Sequence, residues 1–146
     1  MEIKNRQAAL CLIRRDDSFL VAEIHDPHNG MVLHRPPGGG IEEGETPEEA
    51  VRRELKEELD IELTEIRALG SVDHVWYWKS RELHERAWLF AATPSVDARL
   101  RRGECPDLLE ADGLISKTLW RAMDAAPESL PPLCPSGLLD LLRPER

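Results

Sequence analysis

RPPGGGIEEGETPEEAVRRELKEELDIEL, residues 35–63, sets two prolines and three glycines directly before a run crowded with glutamates. The second half reads as a helix. Thr46 suits the N-cap, Pro47 suits the first helical position, and Glu49 stands three residues on to complete a capping box. The spacing therefore predicts a helix from there to about Leu59. At about 100° per residue, Val51, Leu55 and Leu59 form an apolar stripe, and Glu54, Glu57 and Glu58 span about 100° of the neighbouring face. Such a helix buries its stripe against a sheet and holds three carboxylates at the edge of the contact. Like charges at i,i+4, as at Glu54 and Glu58, cost roughly a few tenths of a kcal/mol. A hard divalent cation removes that cost, and Mg²⁺ takes oxygen ligands and also binds substrate phosphates. Arg53 lies four residues from both Glu49 and Glu57, so a solvated helix laced with ion pairs is the competing reading. The glycines favour the site: Gly38-Gly39-Gly40 lets the backbone approach a ligand and offers its own amides and carbonyls.

Outward from this stretch, Ala8 to Ile13 and Phe19 to Ile24 are β-prone runs joined by a polar turn, which reads as a hairpin. Met31 to His34 reads as a short strand that ends where Pro36 and Pro37 withdraw two backbone donors. After the helix, Ile61 to Leu69 and Val72 to Trp78 read as strands. His74, Trp76 and Trp78 share one face of the second. Lys79 to Glu82 is a turn, and Leu83 to Ala92 the returning strand. Thr93 to Gly113, with Pro94, Gly103 and Pro106, reads as a long polar loop of the kind that often carries function. Leu114 to Trp120 reads as a strand, Arg121 to Ala126 as a helical turn and Pro135 to Leu142 as a short helix. Five of the 11 prolines fall after residue 126, so the tail is expected to be irregular but packed. Strands before and after one long helix imply an α/β fold with a mixed sheet covered by helices.

Composition limits the function. A chain of 146 residues with 41% hydrophobic and 32% charged residues fits one soluble globular domain, residues 1–146. Its net charge of −9 argues against broad contact with a nucleic-acid polymer or an anionic membrane. It leaves room for a small anionic substrate bridged by a cation. Three scattered cysteines, Cys11, Cys105 and Cys134, lack metal-ligand spacing and read as free thiols. With no membrane-length apolar run and no signal-peptide core, the expected location is the cytoplasm.

From Gly39 the spacing runs glycine, five residues, Glu45, seven residues, then Arg53-Glu54-Leu55-Lys56-Glu57-Glu58-Leu59-Asp60-Ile61. This resembles the Nudix box, G-x5-E-x7-R-E-U-x-E-E-x-G-U, where U is a bulky aliphatic residue. Asp60 alone departs, standing where the box has its last glycine. Aspartate tolerates a left-handed C-cap better than most non-glycine residues, so the departure costs stability at the helix end and removes no ligand. The resemblance implies a Nudix fold, an α/β/α sandwich around a mixed β-sheet. It further implies Mg²⁺- or Mn²⁺-dependent hydrolysis of a nucleoside diphosphate linked to another moiety, with a nucleoside triphosphate, nucleotide sugar or dinucleoside polyphosphate among the candidates. By motif position Glu54, Glu57 and Glu58 carry over as metal ligands, with the Gly38 carbonyl beside them. Arg53 carries over as an orienting partner of the box glutamates, Glu45 included. Dimers are common among such proteins, which leaves a homodimer open.

The general base is not fixed by the motif. Glu54 and Glu57 are available on the helix, and Glu85, Glu104, Asp107 and Glu110 lie elsewhere, with Glu110 preferred as a loop carboxylate and solvated surface acid the competing reading for each. For the substrate, Gly39 and Gly40 offer backbone, Arg35 a phosphate contact or a structural ion pair, and Trp76 a face for base stacking or ordinary packing. The pairing of Arg35-Pro36 with a later His84-Glu85 resembles a bacterial Nudix subgroup without fixing a substrate. His74 and His84 lack a third zinc ligand, and Arg99, Arg101 and Arg102 read as a solvated basic patch. A different class of function is a catalytically silent Nudix domain that senses nucleotides. The intact Arg53, Glu54, Glu57 and Glu58 weigh against it.

Overall fold

The computed structural model describes residues 3–93 and 97–142. Pro94, expected in the long loop, lies outside them. Strand β1 (Ile3–Arg15) is the axis of the sheet. It turns at Asp16-Asp17, with Asp16 at positive φ, into β2 (Ser18–His25), but the two strands pair only at Arg14–Phe19 and Arg15–Ser18. Beyond that they splay apart, and the gap is filled by two short strands. Strand β3 (Val32–Arg35) pairs with β2, and β4 (Gly38–Gly40) pairs with β1 in the register Ala8–Gly40, Ala9–Gly39, Leu10–Gly38. Pro36 and Pro37 carry the chain across the gap, and the Pro37 carbonyl accepts from the Cys11 N–H at 2.8 Å.

Strand β4 sits where a loop is expected from sequence alone. Three glycines have low strand propensity, but the close approach of β1 requires them: at Gly38, φ +139°, a Cβ would lie 2.1 Å from the Ala9 carbonyl oxygen. Helix α1 (Pro47–Leu59) keeps the predicted boundaries and both bonds of the capping box, Glu49 N–H to the Thr46 hydroxyl and Thr46 N–H to the Glu49 carboxylate. Asp60 takes the left-handed C-cap at φ 56°, ψ 43°.

Residues 61–66 do not form the predicted strand. Ile61 and Leu63 are buried because an irregular segment lays them on the core, and alternation of apolar residues alone cannot tell that from a strand. Strand β5 (Arg67–Trp78) begins instead at Arg67, with an irregularity in register between Ala68 and Gly70. A two-residue turn at Lys79-Ser80, both at positive φ, returns it as β6 (Arg81–Ala92). Strand β6 then pairs parallel with β1 from Ile3–Glu82 to Ile13–Ala92. The expected long loop contains a turn of helix, α2 (Ala98–Arg101), and the two-residue β7 (Leu108–Leu109). Strand β8 (Ile115–Ala122) runs through residues 121 and 122, where a helical turn is expected, because β2 pairs with them at Phe19 and Ser18. After a 3-10 turn at Pro127–Ser129, helix α3 (Leu138–Leu142) closes the described chain.

The strand order is β5-β6-β1-β2-β8-β7, with β3 and β4 off the path. One face buries Ala9, Cys11 and Ile13 of β1 under Ala50, Val51, Leu55 and Leu59 of α1. The other packs Leu10, Leu12 and Phe19 against Leu138 of α3. This is the expected α/β/α arrangement around a mixed sheet. No helix is long and apolar enough to cross a membrane among the described residues.

Candidate active site

Helix α1 meets β4 through Arg53, Glu54 and Glu58, and Arg53 ties the two together. Its guanidinium meets Glu45 at 2.7 and 3.0 Å, Glu54 at 3.0 Å, Glu57 at 3.2 Å and the Gly40 carbonyl at 3.0 Å. This network, the Glu45 bond first, raises the Arg53 pKa and holds the Glu45 carboxyl at about 2. Its reach is set by the helix, since Glu57 is one turn on and Glu54 is adjacent.

The three helix carboxylates occupy different environments. Glu57 is 59% exposed and leans toward Arg53 from the solvent side. Glu54 lies against β4 so closely that a Cβ at Gly39 would sit 2.7 Å from its carboxylate. Burial, opposed by Arg53, shifts the Glu54 pKa upward. Glu58 accepts the Gly38 N–H at 2.8 Å. Burial, then the charge of Glu54, pushes its pKa to about 9, with Glu110 adding to the rise. Among the described residues no three acidic, histidine or cysteine side chains converge as they stand on one metal position. Arg53 draws Glu54 and Glu57 toward itself, whereas Glu58 is turned to the β4 backbone. The donor set nevertheless fits a hard divalent cation: the groups are all oxygens, and they crowd negative charge that one arginine only partly neutralises.

Glu110 enters from the turn between β7 and β8. Its carboxylate accepts from the Ser116 hydroxyl at 2.6 Å, and it is near enough for its charge to act on Glu58. The other loop carboxylates are elsewhere: Glu104 pairs with Arg102, and Asp107 with Lys117 at 3.5 Å.

Glu85 differs from the solvated acid that its surroundings in sequence suggest, because it is fully buried. The register of β1, β5 and β6 places Arg6 and His74 beside it. Arg35 of β3 reaches both its oxygens at 2.9 and 3.0 Å, His74 Nε2 lies at 2.8 Å and Arg6 Nε at 2.8 Å. Burial alone would raise the Glu85 carboxyl, but Arg35, His74 and Arg6 outweigh it and hold it at about 2. Arg35 is accordingly a buried ion-pair partner rather than an exposed one. It also donates to the Cys134 sulfur at 3.2 Å and lies 4.9 Å from the Trp76 ring. Trp76 is half-buried between His74 and Trp78, and its Nε1 has no acceptor among the described residues. Tyr77 on the opposite face is exposed. His84 bonds to Glu82, not to a site shared with His74.

Arg99 corrects the basic-patch reading. It donates to the Leu59 carbonyl at 2.7 Å and so caps the C-terminus of α1, where its charge also complements the helix dipole. Neither this contact nor the place of Arg6 carries a local signal in the sequence, since both depend on strand and loop placement over long separations.

The NUDIX domain family model matches residues 4–133. The chain is 31% identical over 96 residues to an 8-oxo-dGTP diphosphatase of Escherichia coli (strain K12), covering 59% of this chain and 74% of that protein. It is 33% identical over 99 residues to an RNA pyrophosphohydrolase of Photobacterium profundum, covering 58% of this chain and only 55% of that protein. A crystal structure of a MutT NUDIX hydrolase from Burkholderia pseudomallei superposes with a TM-score of 0.62 at 25% identity, over 96% of this chain and 99% of that one.

Proposed function

Because the chain belongs to the NUDIX family, we propose that it is a divalent-metal-dependent hydrolase of a diphosphate bond. Its substrate would be a nucleoside diphosphate linked to another moiety, and a nucleoside monophosphate or its equivalent would leave. The observation that carries this reading is the row of helix carboxylates along the glycine strand, with Glu54 and Glu57 held by Arg53 and Glu58 bonded to the Gly38 N–H. Relatives whose names describe diphosphatase and pyrophosphohydrolase activity support it. One of them acts, by its name, on RNA, so the expectation that no nucleic-acid polymer is involved has no support from these relatives.

In this reading Glu54, Glu57, Glu58 and the Gly38 carbonyl hold Mg²⁺ or Mn²⁺. The bound cation would neutralise the bridging diphosphate and polarise phosphorus for attack. Arg53 keeps Glu54 and Glu57 from repelling each other out of position and ties them to Glu45 and the Gly40 carbonyl. Glu110, fixed by Ser116 and near enough for its charge to act on Glu58, is the carboxylate we assign to accept the proton of the attacking water. Trp76, half-buried between His74 and Trp78, is the ring we assign to stack on a base.

The test is release of phosphate and nucleotide across nucleoside triphosphates, oxidised nucleotides, nucleotide sugars, dinucleoside polyphosphates and 5′-triphosphorylated RNA, with Mg²⁺ or Mn²⁺ and with chelator. Glu57→Gln runs in parallel. Cleavage of one class that needs the cation and collapses in the variant supports the proposal. No cleavage, with nucleotides still raising the melting temperature, would replace it with a nucleotide-binding sensor.

A further inference from the structure

Successive glycines of β4 face opposite ways. From Gly39 the missing side chain would strike Glu54; from Gly40 it would meet the Arg6 guanidinium at 3.4 Å. The glycine strand is thus a thin wall with the carboxylates on one side and a cation on the other. The charge of Glu54 is felt at Arg6 through it.

Arg6 has one buried end and one open end. Its Nε lies 2.8 Å from Glu85, whose side chain is fully buried, whereas the Arg6 side chain is 32% exposed. Even at Glu85 the fit is incomplete, because the Nε–H is not aimed at the carboxylate and makes no hydrogen bond among the described residues. Nor does Glu85 need Arg6 for neutralisation, since Arg35 already contacts both its oxygens and His74 adds a further hydrogen bond. Two guanidiniums around one carboxylate leave surplus positive charge. The surplus lies on the exposed member, which lines a cavity of about 710 Å³ with Asn5, Gln7, Gly40 and Pro47. Three acids share that rim, Glu42, Glu43 and Glu45; Arg53 holds Glu45 at 2.7 Å and lies 3.7 Å from Glu42.

We propose that Arg6, seated on Glu85 and lying over Gly40, is a substrate-binding residue that takes an anionic phosphate oxygen of the substrate on the side of β4 away from Glu54. The inference rests on the hydrolase reading for its substrate class, but the anion contact itself needs no metal. A substrate phosphate chain crossing the β4 edge would meet carboxylate-bound cation on one side and a guanidinium on the other. Charge-assisted bonds of this kind change affinity by about 10- to 100-fold.

The experiment is calorimetric titration of inorganic pyrophosphate into the full chain in chelator, for the wild type, Arg6→Ala and Arg6→Lys. Melting temperatures are taken alongside, and KM and kcat are measured on whichever panel member is cleaved. We expect at least about a tenfold weaker Kd in Arg6→Ala, partial recovery in Arg6→Lys, and a rise in KM that exceeds any fall in kcat. Equal pyrophosphate affinity in wild type and Arg6→Ala, or no binding by the wild type, overturns the proposal even if hydrolysis is found. Arg6-dependent binding with no cleavage of any panel member leaves the anion subsite standing and removes the hydrolase reading.

Discussion

Replacing Glu85 by glutamine should be among the most damaging single changes outside the apolar core. The substitution keeps the shape of the side chain and removes the negative charge that Arg35, Arg6 and His74 share. Arg35 then remains buried without a counter-charge, a situation that costs about 3–5 kcal/mol where buried pairs have been broken. An independent route gives a similar size. The Glu85 carboxyl is held at about 2 against an ordinary 4.5, and that difference corresponds to stability on the order of 3 kcal/mol at neutral pH. For a chain of this length, such a loss lowers the melting temperature by roughly 10–15 °C. The sign with pH is fixed by the direction of the shift. The folded-state value is depressed, so the contribution is complete above about 4.5 and disappears as the pH falls toward about 2. Urea unfolding of wild type and Glu85→Gln at a series of pH values measures it. The gap between the two should be widest above about pH 5 and shrink in acid. A gap under about 1 kcal/mol at neutral pH, or one that does not shrink, would refute the account of Glu85 as the charge on which this cluster is built.

Other outcomes follow from single contacts. Gly39→Ala has an ordinary backbone conformation but drives a methyl into the Glu54 carboxylate, so kcat/KM on the identified substrate should fall by about 100-fold or more while the melting temperature moves by only a few degrees. Glu110→Gln should lower kcat by about 10²–10⁴ with little change in KM if it is the base, and Ser116→Ala should do less; steady-state kinetics separates them. Thr46→Ala removes the side-chain bond to the Glu49 N–H and should cost about 1 kcal/mol in chemical denaturation. Asp60→Gly should gain about 0.5–1 kcal/mol by the same measurement, less whatever the exposed Lys56 contact contributes, because glycine occupies φ 56° without strain.

How much was legible from sequence depends on the range of the interactions. Helix α1, its Thr46 cap and its Asp60 terminus are decided within about 15 residues, and they are found where the spacing predicts. The hairpin of β5 and β6 is likewise local, with a two-residue turn and matched flanking runs. The strand formed by Gly38–Gly40 is illegible because its partner, β1, lies about thirty residues earlier and imposes extended backbone on residues that would not choose it. Ile61 and Leu63 mislead for the opposite reason, since burial by a neighbouring core produces the same alternation as a strand. At the site, the contacts of Arg53 to Glu45, Glu54 and Glu57 can be read from spacing along a loop and one helix. The burial of Glu85 cannot. It requires β1, β3, β5 and β6 to bring Arg6, Arg35 and His74 to one point, and nothing near residue 85 encodes that.

The parallel pairing of β1 with β6 also has a consequence in time. Ile3 meets Glu82 and Ile13 meets Ala92, so every rung of that ladder closes a loop of 79 residues. Contacts this distant in sequence slow folding, because the chain loses its freedom before the rungs begin to compensate. Strand β4 and helix α1 are both made earlier in the chain than the strand that secures β1 beside them. During synthesis the glycine strand and its glutamates therefore precede β6, the strand that completes the pairing of β1. Pulsed hydrogen exchange should find the α1 amides protected before those of β1 and β6.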